Sequence, residues 1–401
     1  MTTTIAAQAP VSQIDPFSLA FFDDPYPRHA ELRAAGPVVR LEKYGVWAMA
    51  RHAQVHATLN DWQTFISGAG AGIHDLRKRD AWRPPSILLE ADPPLHDNTR
   101  GVLTRILSAP AIKKLRVDFE AEAERLVESL VARGTFDAVA DLAVLYPLKV
   151  VGDAVGVPDE GREALLPYSN MLFNALGPEN EIFKESIAQA GKVVPEITRQ
   201  CARENLRPGS FGAQIYEAVD TGKLAPEHAP LMVRSLLSAG FDTTVNGLSS
   251  AIFGFATNPK QWQLLRTSPE LHRTAFDEVM RWETPGQTFF RTTAREVEVG
   301  GVQLGKDEKV LLMLGSANRD PERWENPEKL DFKRNSFGHV ALGSGIHLCV
   351  GQMIARLEGE LLISAFAKRV AAFELAGEPV RRPNNCLRGF ASVPVRVTRV
   401  Q

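Results

Sequence analysis

One run of about thirty residues, from Glu227 to about Ala256, constrains this chain more than any other segment. It contains L-M-V-R-S-L-L-S-A-G-F-D-T-T-V-N-G-L-S-S-A-I-F-G-F-A and is apolar on nearly every face. A helix with no solvated face belongs in the middle of a protein. At a rise of about 1.5 Å per residue it would be about 45 Å long, enough to cross a domain. Asn258 and Pro259 stop it. The rest of the fold has to be built around it.

The surrounding periodicity is mainly helical from about Pro110 to Glu270, most clearly between Ala111 and Val131. Short strands read at Pro37 and Val46, around Gly300-Gly301 between Glu296 and Leu304, and from Val310. Between Asn318 and Phe337 no period is visible, and an irregular run of that length is functional or packed on itself. The expected fold is mainly α with small β-sheets, one domain over 1–401, with residues 1–15 flexible.

Composition removes several function classes. A net charge of −2 supplies no field toward nucleic acid or an anionic membrane. No run of about 18 apolar residues spans a bilayer, and M-T-T-T-I-A-A-Q-A-P lacks the basic and apolar regions of a signal peptide. Cys201, Cys349 and Cys386 are odd in number and scattered, which suits a reducing cytoplasm. The expectation is a cytoplasmic monomer that binds neither nucleic acid nor membrane.

The chemistry concentrates at G-S-G-I-H-L-C-V-G, Gly343 to Gly351. Apolar residues at helical spacing follow, so Cys349 sits at or just before a helix N-terminus, where N–H groups and the macrodipole favour an anionic sulfur. The glycines let backbone N–H groups and a flat ligand come close. His347 can reach something lying beside the sulfur. An axial thiolate ligand to haem iron needs these features. A small buried thiol remains open at this point, whereas zinc lacks a second ligand pair.

The loop resembles the cysteine motif of the soluble bacterial cytochrome P-450 haem-thiolate monooxygenases, with Leu342 where phenylalanine is usual. Further motifs agree in order: E-V-M-R (Glu278, Arg281), A-N-R-D-P-E, A-G-F-D-T-T (Ala239 to Thr244) and H-x-x-x-R (His96, Arg100). In the irregular run Lys329 stands where arginine is common, so Arg334 is the candidate third charge beside Glu278 and Arg281.

The resemblance implies haem b, ligated by Cys349, between the long helix at Ala239-Gly240 and the cysteine-loop helix. Its propionates would be held by His96, Arg100, Arg291 and His347. Thr243 would hold a water and hydrogen-bond to dioxygen, and Asp242 would pass protons from solvent. From the residues alone, Thr243 bonding back to the Ala239 carbonyl and Asp242 in a local ion pair are the alternative. Electrons would come from NAD(P)H through a reductase and an iron–sulfur ferredoxin, with Lys113, Lys114, Arg116 and Arg356 as its docking patch.

Ser235, Ala239, Asp242 and Thr243 fall on one helical stripe, with Ser238 and Arg234 beside it. The segment D-A-W-R-P-P-S-I-L-L-E adds Arg83, Ser86 and Leu88, and Phe173, Phe289 and Phe390 fall in segments that line the family's pocket. W-R-P-P-S with R-S-L-L-S-A-G resembles the bacterial members that oxidise para-substituted benzoates, including O-demethylation of para-methoxybenzoate. The expected substrate is a small aromatic acid. Terpenes, steroids and fatty acids, or a peroxide-driven reaction on the same fold, are the alternatives.

Overall fold

The structure, a computed structural model, describes residues 9–78 and 83–400. The central apolar segment forms two helices, His228–Gly240 and Asp242–Thr257, parted at Phe241. This corrects the expectation of one unbroken helix. Gly240 is weak in a helix interior, and the Thr243 hydroxyl takes the Ala239 carbonyl at 2.8 Å, a bond that bends helices. The second helix stops at Asn258, as the Asn-Pro pair requires.

Helix Asp242–Thr257 runs through the main core. Its Leu248, Ile252 and Phe255 meet Trp262, Phe276, Leu361 and Phe366 of neighbouring helices. The periodic segment near 111–131 is a helix over Ala109–Arg133, which packs on Gln352–Arg369. Its buried face is Ile112, Phe119, Ala123, Leu126, Val127 and Leu130, an i, i+3, i+4 stripe.

Among the described residues four small sheets flank the helices. In the six-stranded one the order is Val11–Ser12, Val39–Leu41, Val46–Met49, Lys309–Met313, Thr288–Thr293 and Phe65–Ile66. Trp47 pairs in parallel with Val310, and Val310 pairs antiparallel with Arg291. Residues 11–12 thus belong to a sheet edge, not to a flexible lead. The Pro10 and Ser12 carbonyls accept from the N–H groups of Arg40 and Glu42 at 2.8 and 3.1 Å. A hairpin of Val297–Val299 and Val302–Leu304 turns at Gly300-Gly301.

The irregular run from Asn318 to Phe337 is held by buried charge. Glu278 and Arg281 form a bidentate pair at 2.8 Å, with side chains 1% and 0% exposed. Arg281 also donates to the carbonyls of Asn318, Pro327 and Lys329, while Arg334, Ser336 and the Asp331 N–H donate to Glu278. Every strong donor and acceptor of the pair is satisfied, the condition for tolerating charge in a core. One helix turn on, Glu283 gathers Arg381 at 2.7 Å and Arg388 at 3.4 Å, and accepts from Tyr26. Burial would raise its carboxyl, but Arg381, Arg388 and Arg319 hold it down at about 2.

Arg281→Ala should strand Glu278 in the interior and cost about 3–5 kcal/mol. Lys329→Ala, which leaves the carbonyl in place, should stay within about 0.5 kcal/mol of the parent. Denaturation midpoints of the two variants check this.

Candidate active site

The cysteine loop is shaped by two left-handed glycines, Gly343 at φ 74° and Gly345 at φ 66°. A Cβ on Gly345 would lie 2.4 Å from the Leu59 carbonyl oxygen, so the loop can rest on helix His52–Asn60 only with glycine there. The Cys349 N–H donates to Leu342 at 2.8 Å, and the sulfur sits just ahead of helix Gln352–Arg369. Burial pushes its thiol up, opposed by the N–H groups of Gly351 and Gln352 and by Arg100 and Arg356.

Above the sulfur lies a cavity of ≈ 320 Å³, within the ~300–1,000 Å³ range of small-ligand pockets. Cys349, Arg100, Arg291, His347, Ala239, Gly240 and Thr243 line it. His96 lies behind the wall, its ring edge-on to His347 at 4.6 Å between centroids. The Nε2 atoms of both histidines are buried without a hydrogen-bond partner. Arg291 is 3% exposed and, among the described residues, has no carboxylate within ion-pair reach; burial lowers it to about 10. Arg100 donates to the Leu348 carbonyl. Burial, then Arg291, His96 and Arg100, push His347 down to about 3.

These orphaned donors and unbalanced cations surround one end of a flat-walled space with a sulfur in its floor. Two buried carboxylates would complete them, so the residues fit haem with its propionates.

Thr243 faces the cavity, its hydroxyl donating to Ala239. Asp242 does not share its stripe. It is 0% exposed on another side of the helix, paired with Arg382 and 3.4 Å from Asn246. The break at Phe241 and the rotation of one residue turn it away. The Thr243–Ala239 bond that the residues alone suggested is present, whereas the ion pair of Asp242 is made not locally but with Arg382, 140 positions away.

Ser86, Leu88, Phe173, Ser235, Ser238 and Phe289 line the cavity. Phe390 does not: strand Gly389–Ser392 turns it into the core, where it meets Phe253 at 4.9 Å and lies under Arg381 at 3.8 Å. Trp82 lies outside the described residues. Arg83 is bound bidentately by Glu90 at 2.8 and 3.2 Å, so its charge is already balanced. Arg234, also on the wall, donates to the Pro84 carbonyl at 3.3 Å and bonds the Tyr168 side chain, with no carboxylate in ion-pair reach among the described residues.

Sequence reasoning missed Glu90, Arg382 and Glu358. Each acts through a tertiary pairing or position that carries no motif. Glu358 lines the rear of the cavity with both oxygens unpartnered, and burial raises it well above the usual carboxylate range. Of the expected docking cations, Arg116 is spent on Glu360 and Arg356 on Asp277, leaving Lys113 and Lys114 exposed. Among the described residues no helix is long and apolar enough to cross a membrane.

The cytochrome P450 family profile matches residues 266–396. The chain is 52% identical to cytochrome p450 CYP199A2 of Rhodopseudomonas palustris, over 98% of this chain and 95% of that one. It is 32% identical to cytochrome P450 107B1 of Saccharopolyspora erythraea, over 95% and 96%. Among solved structures, cytochrome P450 CREJ in complex with (4-ethylphenyl) dihydrogen phosphate superposes with a TM-score of 0.86 at 28% identity, covering 96% of this chain and 99% of that one. Similarity along nearly its whole length, and a cysteine loop that opens onto the main cavity, make this chain a member of the cytochrome P450 family of haem-thiolate monooxygenases.

Proposed function

We propose that this monooxygenase oxidises a small aromatic carboxylic acid of the para-substituted benzoate type, by hydroxylation or O-demethylation. The observation that carries the reading is Arg234, a cation on the cavity wall with no carboxylate in ion-pair reach among the described residues. Next to it the Ser86 Oγ accepts from the N–H groups of Leu88 and Leu89 at 3.4 and 3.1 Å, leaving its proton free for an anion. Ser235 and Ser238 add hydroxyls, and Phe173 and Phe289 supply apolar walls. The CREJ ligand, a para-alkyl aromatic with an anion at its other end, is of the same chemical shape.

The acid would place its carboxylate at Arg234 and Ser86, with its para-substituent toward Cys349. Haem, when bound through Cys349, supplies the activation of dioxygen with two electrons and two protons. The chain supplies position and protons. Thr243 Oγ1 can exchange its bond to Ala239 for one to a water or to dioxygen, and Asp242 Oδ2, buried without a partner, can carry a proton toward it. Hydroxylation of a methoxy carbon gives a hemiacetal that collapses to formaldehyde and a phenol. Electrons would arrive from an NAD(P)H-fed iron–sulfur ferredoxin docked near Lys113 and Lys114.

Arg234→Ala should weaken para-methoxybenzoate about 10–100-fold, as loss of a charge-assisted bond does, and spare the neutral ketone of the same shape. Spin-state titrations of both ligands measure this, and an unchanged acid affinity ends the substrate reading. Cys349→Ser should keep the fold by circular dichroism but lose the thiolate-type carbonyl-adduct band. A retained band would remove Cys349 as the ligand.

A further inference from the structure

The two arginines on the cavity wall converge on one atom. Arg83 Nη1 and Arg234 Nη2 donate to the same Pro84 carbonyl, at 3.0 and 3.3 Å, so the cations stand within two hydrogen-bond lengths of each other. They come from distant parts of the chain, Arg83 from the loop ahead of helix Leu95–Ile106 and Arg234 from helix His228–Gly240. Like charges this close in a partly buried place need anions beside them. Glu90 supplies one from behind the wall that Arg83, Ser86, Leu88 and Leu89 form, its side chain 2% exposed.

Glu90 binds Arg83 bidentately and spends the rest of its capacity on main chain. Its Oε2 accepts from the Ser86 N–H at 2.8 Å, and the Ala71 N–H adds a further bond. Its own N–H donates to the Ser86 carbonyl at 2.9 Å. One residue therefore fixes both the turn that presents Ser86 and the cation beside it. Burial would raise the carboxyl, but Arg83 and these N–H groups hold it below its ordinary value, so it is ionised at neutral pH. On its far side Lys309 donates to the carbonyls of Ala69 and Gly70 at 3.1 and 2.8 Å, with Asp75, Arg77 and Arg291 around it.

We propose that Glu90 is the positioning residue that sets the charge of this anchor: by cancelling Arg83 it leaves Arg234 as the unbalanced cation at this end of the cavity, among the described residues, and so tunes the site to a ligand with a single negative charge. The inference rests on the aromatic-acid reading above and adds which anions are refused. A carboxylate meets Arg234 and the Ser86 hydroxyl and leaves no charge uncompensated. A dianionic head group, such as an aryl phosphate, would bring a second charge out of water with no cation to receive it, because Glu90 holds Arg83. Without Glu90 both guanidiniums would face the ligand. The discrimination is thus a refusal built from charge rather than from shape.

Two probes of one shape test it. At about pH 7.5 para-ethylphenyl sulfate carries one negative charge and para-ethylphenyl phosphate nearly two. Spin-state titrations of the holoenzyme give the ratio of their Kd values, with para-ethylbenzoate as the reference acid. The parent should favour the sulfate by about 10–100-fold. Glu90→Gln, which keeps an acceptor for the Ser86 N–H, should close that gap by about 10–100-fold, and the double variant Arg83→Gln, Glu90→Gln, which removes both charges, should reopen it. A Glu90→Gln ratio equal to the parent's, including an equal loss of both probes that tracks melting temperature, would leave Glu90 a structural role and overturn the inference, as would a double variant that keeps the gain. Should Glu90→Gln take up no haem, the parent alone decides, since equal affinity for the two probes, or refusal of both beside tight benzoate binding, also overturns it. A parent that fails to bind para-ethylbenzoate would overturn the aromatic-acid reading itself.

Discussion

The ion pair between Glu278 and Arg281 underlies everything described above it. It ties one helix to the irregular run that leads into the cysteine loop, and does so mainly through main-chain groups: the carbonyls of Asn318, Pro327 and Lys329 and the N–H of Asp331. Main-chain anchors fix the path of a segment whatever its side chains are. That is why a stretch with no helix or strand can deliver a sulfur to a defined place. Two charges at 0% and 1% exposure would be a heavy penalty if either lost its partners, so the arrangement is all-or-none.

The main cavity distributes charge by the same logic used in reverse. At the sulfur end Arg291 is left unbalanced, and burial, then its cationic neighbours, holds His347 well below the usual histidine range. At the far end Arg83 is balanced internally by Glu90, while Arg234 is not. Propionates would balance the sulfur end, so a ligand that enters meets positive potential at the Arg234 end and apolar walls beside it, the setting in which a carboxylate is worth most as an anchor.

Much of this was readable from the chain alone. The cysteine loop and the Glu278–Arg281 pair sit in short motifs, the haem-side cations were what the family resemblance implied, and helical stripes such as that of 109–133 follow from periodicity. What could not be read came from tertiary approach. Arg382 meets Asp242 across 140 positions, and Glu90 takes Arg83 inside an irregular loop. Phe390 was misplaced because a strand presents alternate residues to opposite faces, and one residue of register decides which. The break at Phe241 depended on a threonine hydroxyl competing for a carbonyl, a contest between two local bonds that composition does not decide.

That break has an electrical consequence. An uninterrupted helix would present only its sides to the space above Cys349, where its peptide dipoles are paired and largely silent. Because a new helix begins at Asp242, its opening turn, with Thr243 and Thr244, borders that space, and its leading amides carry partial positive charge there. The helix that follows Cys349 begins on the opposite side of the same space. The reaction chamber is thus bracketed by two positive poles, so electron density that accumulates on either face of a bound plane finds a compensating field already in place.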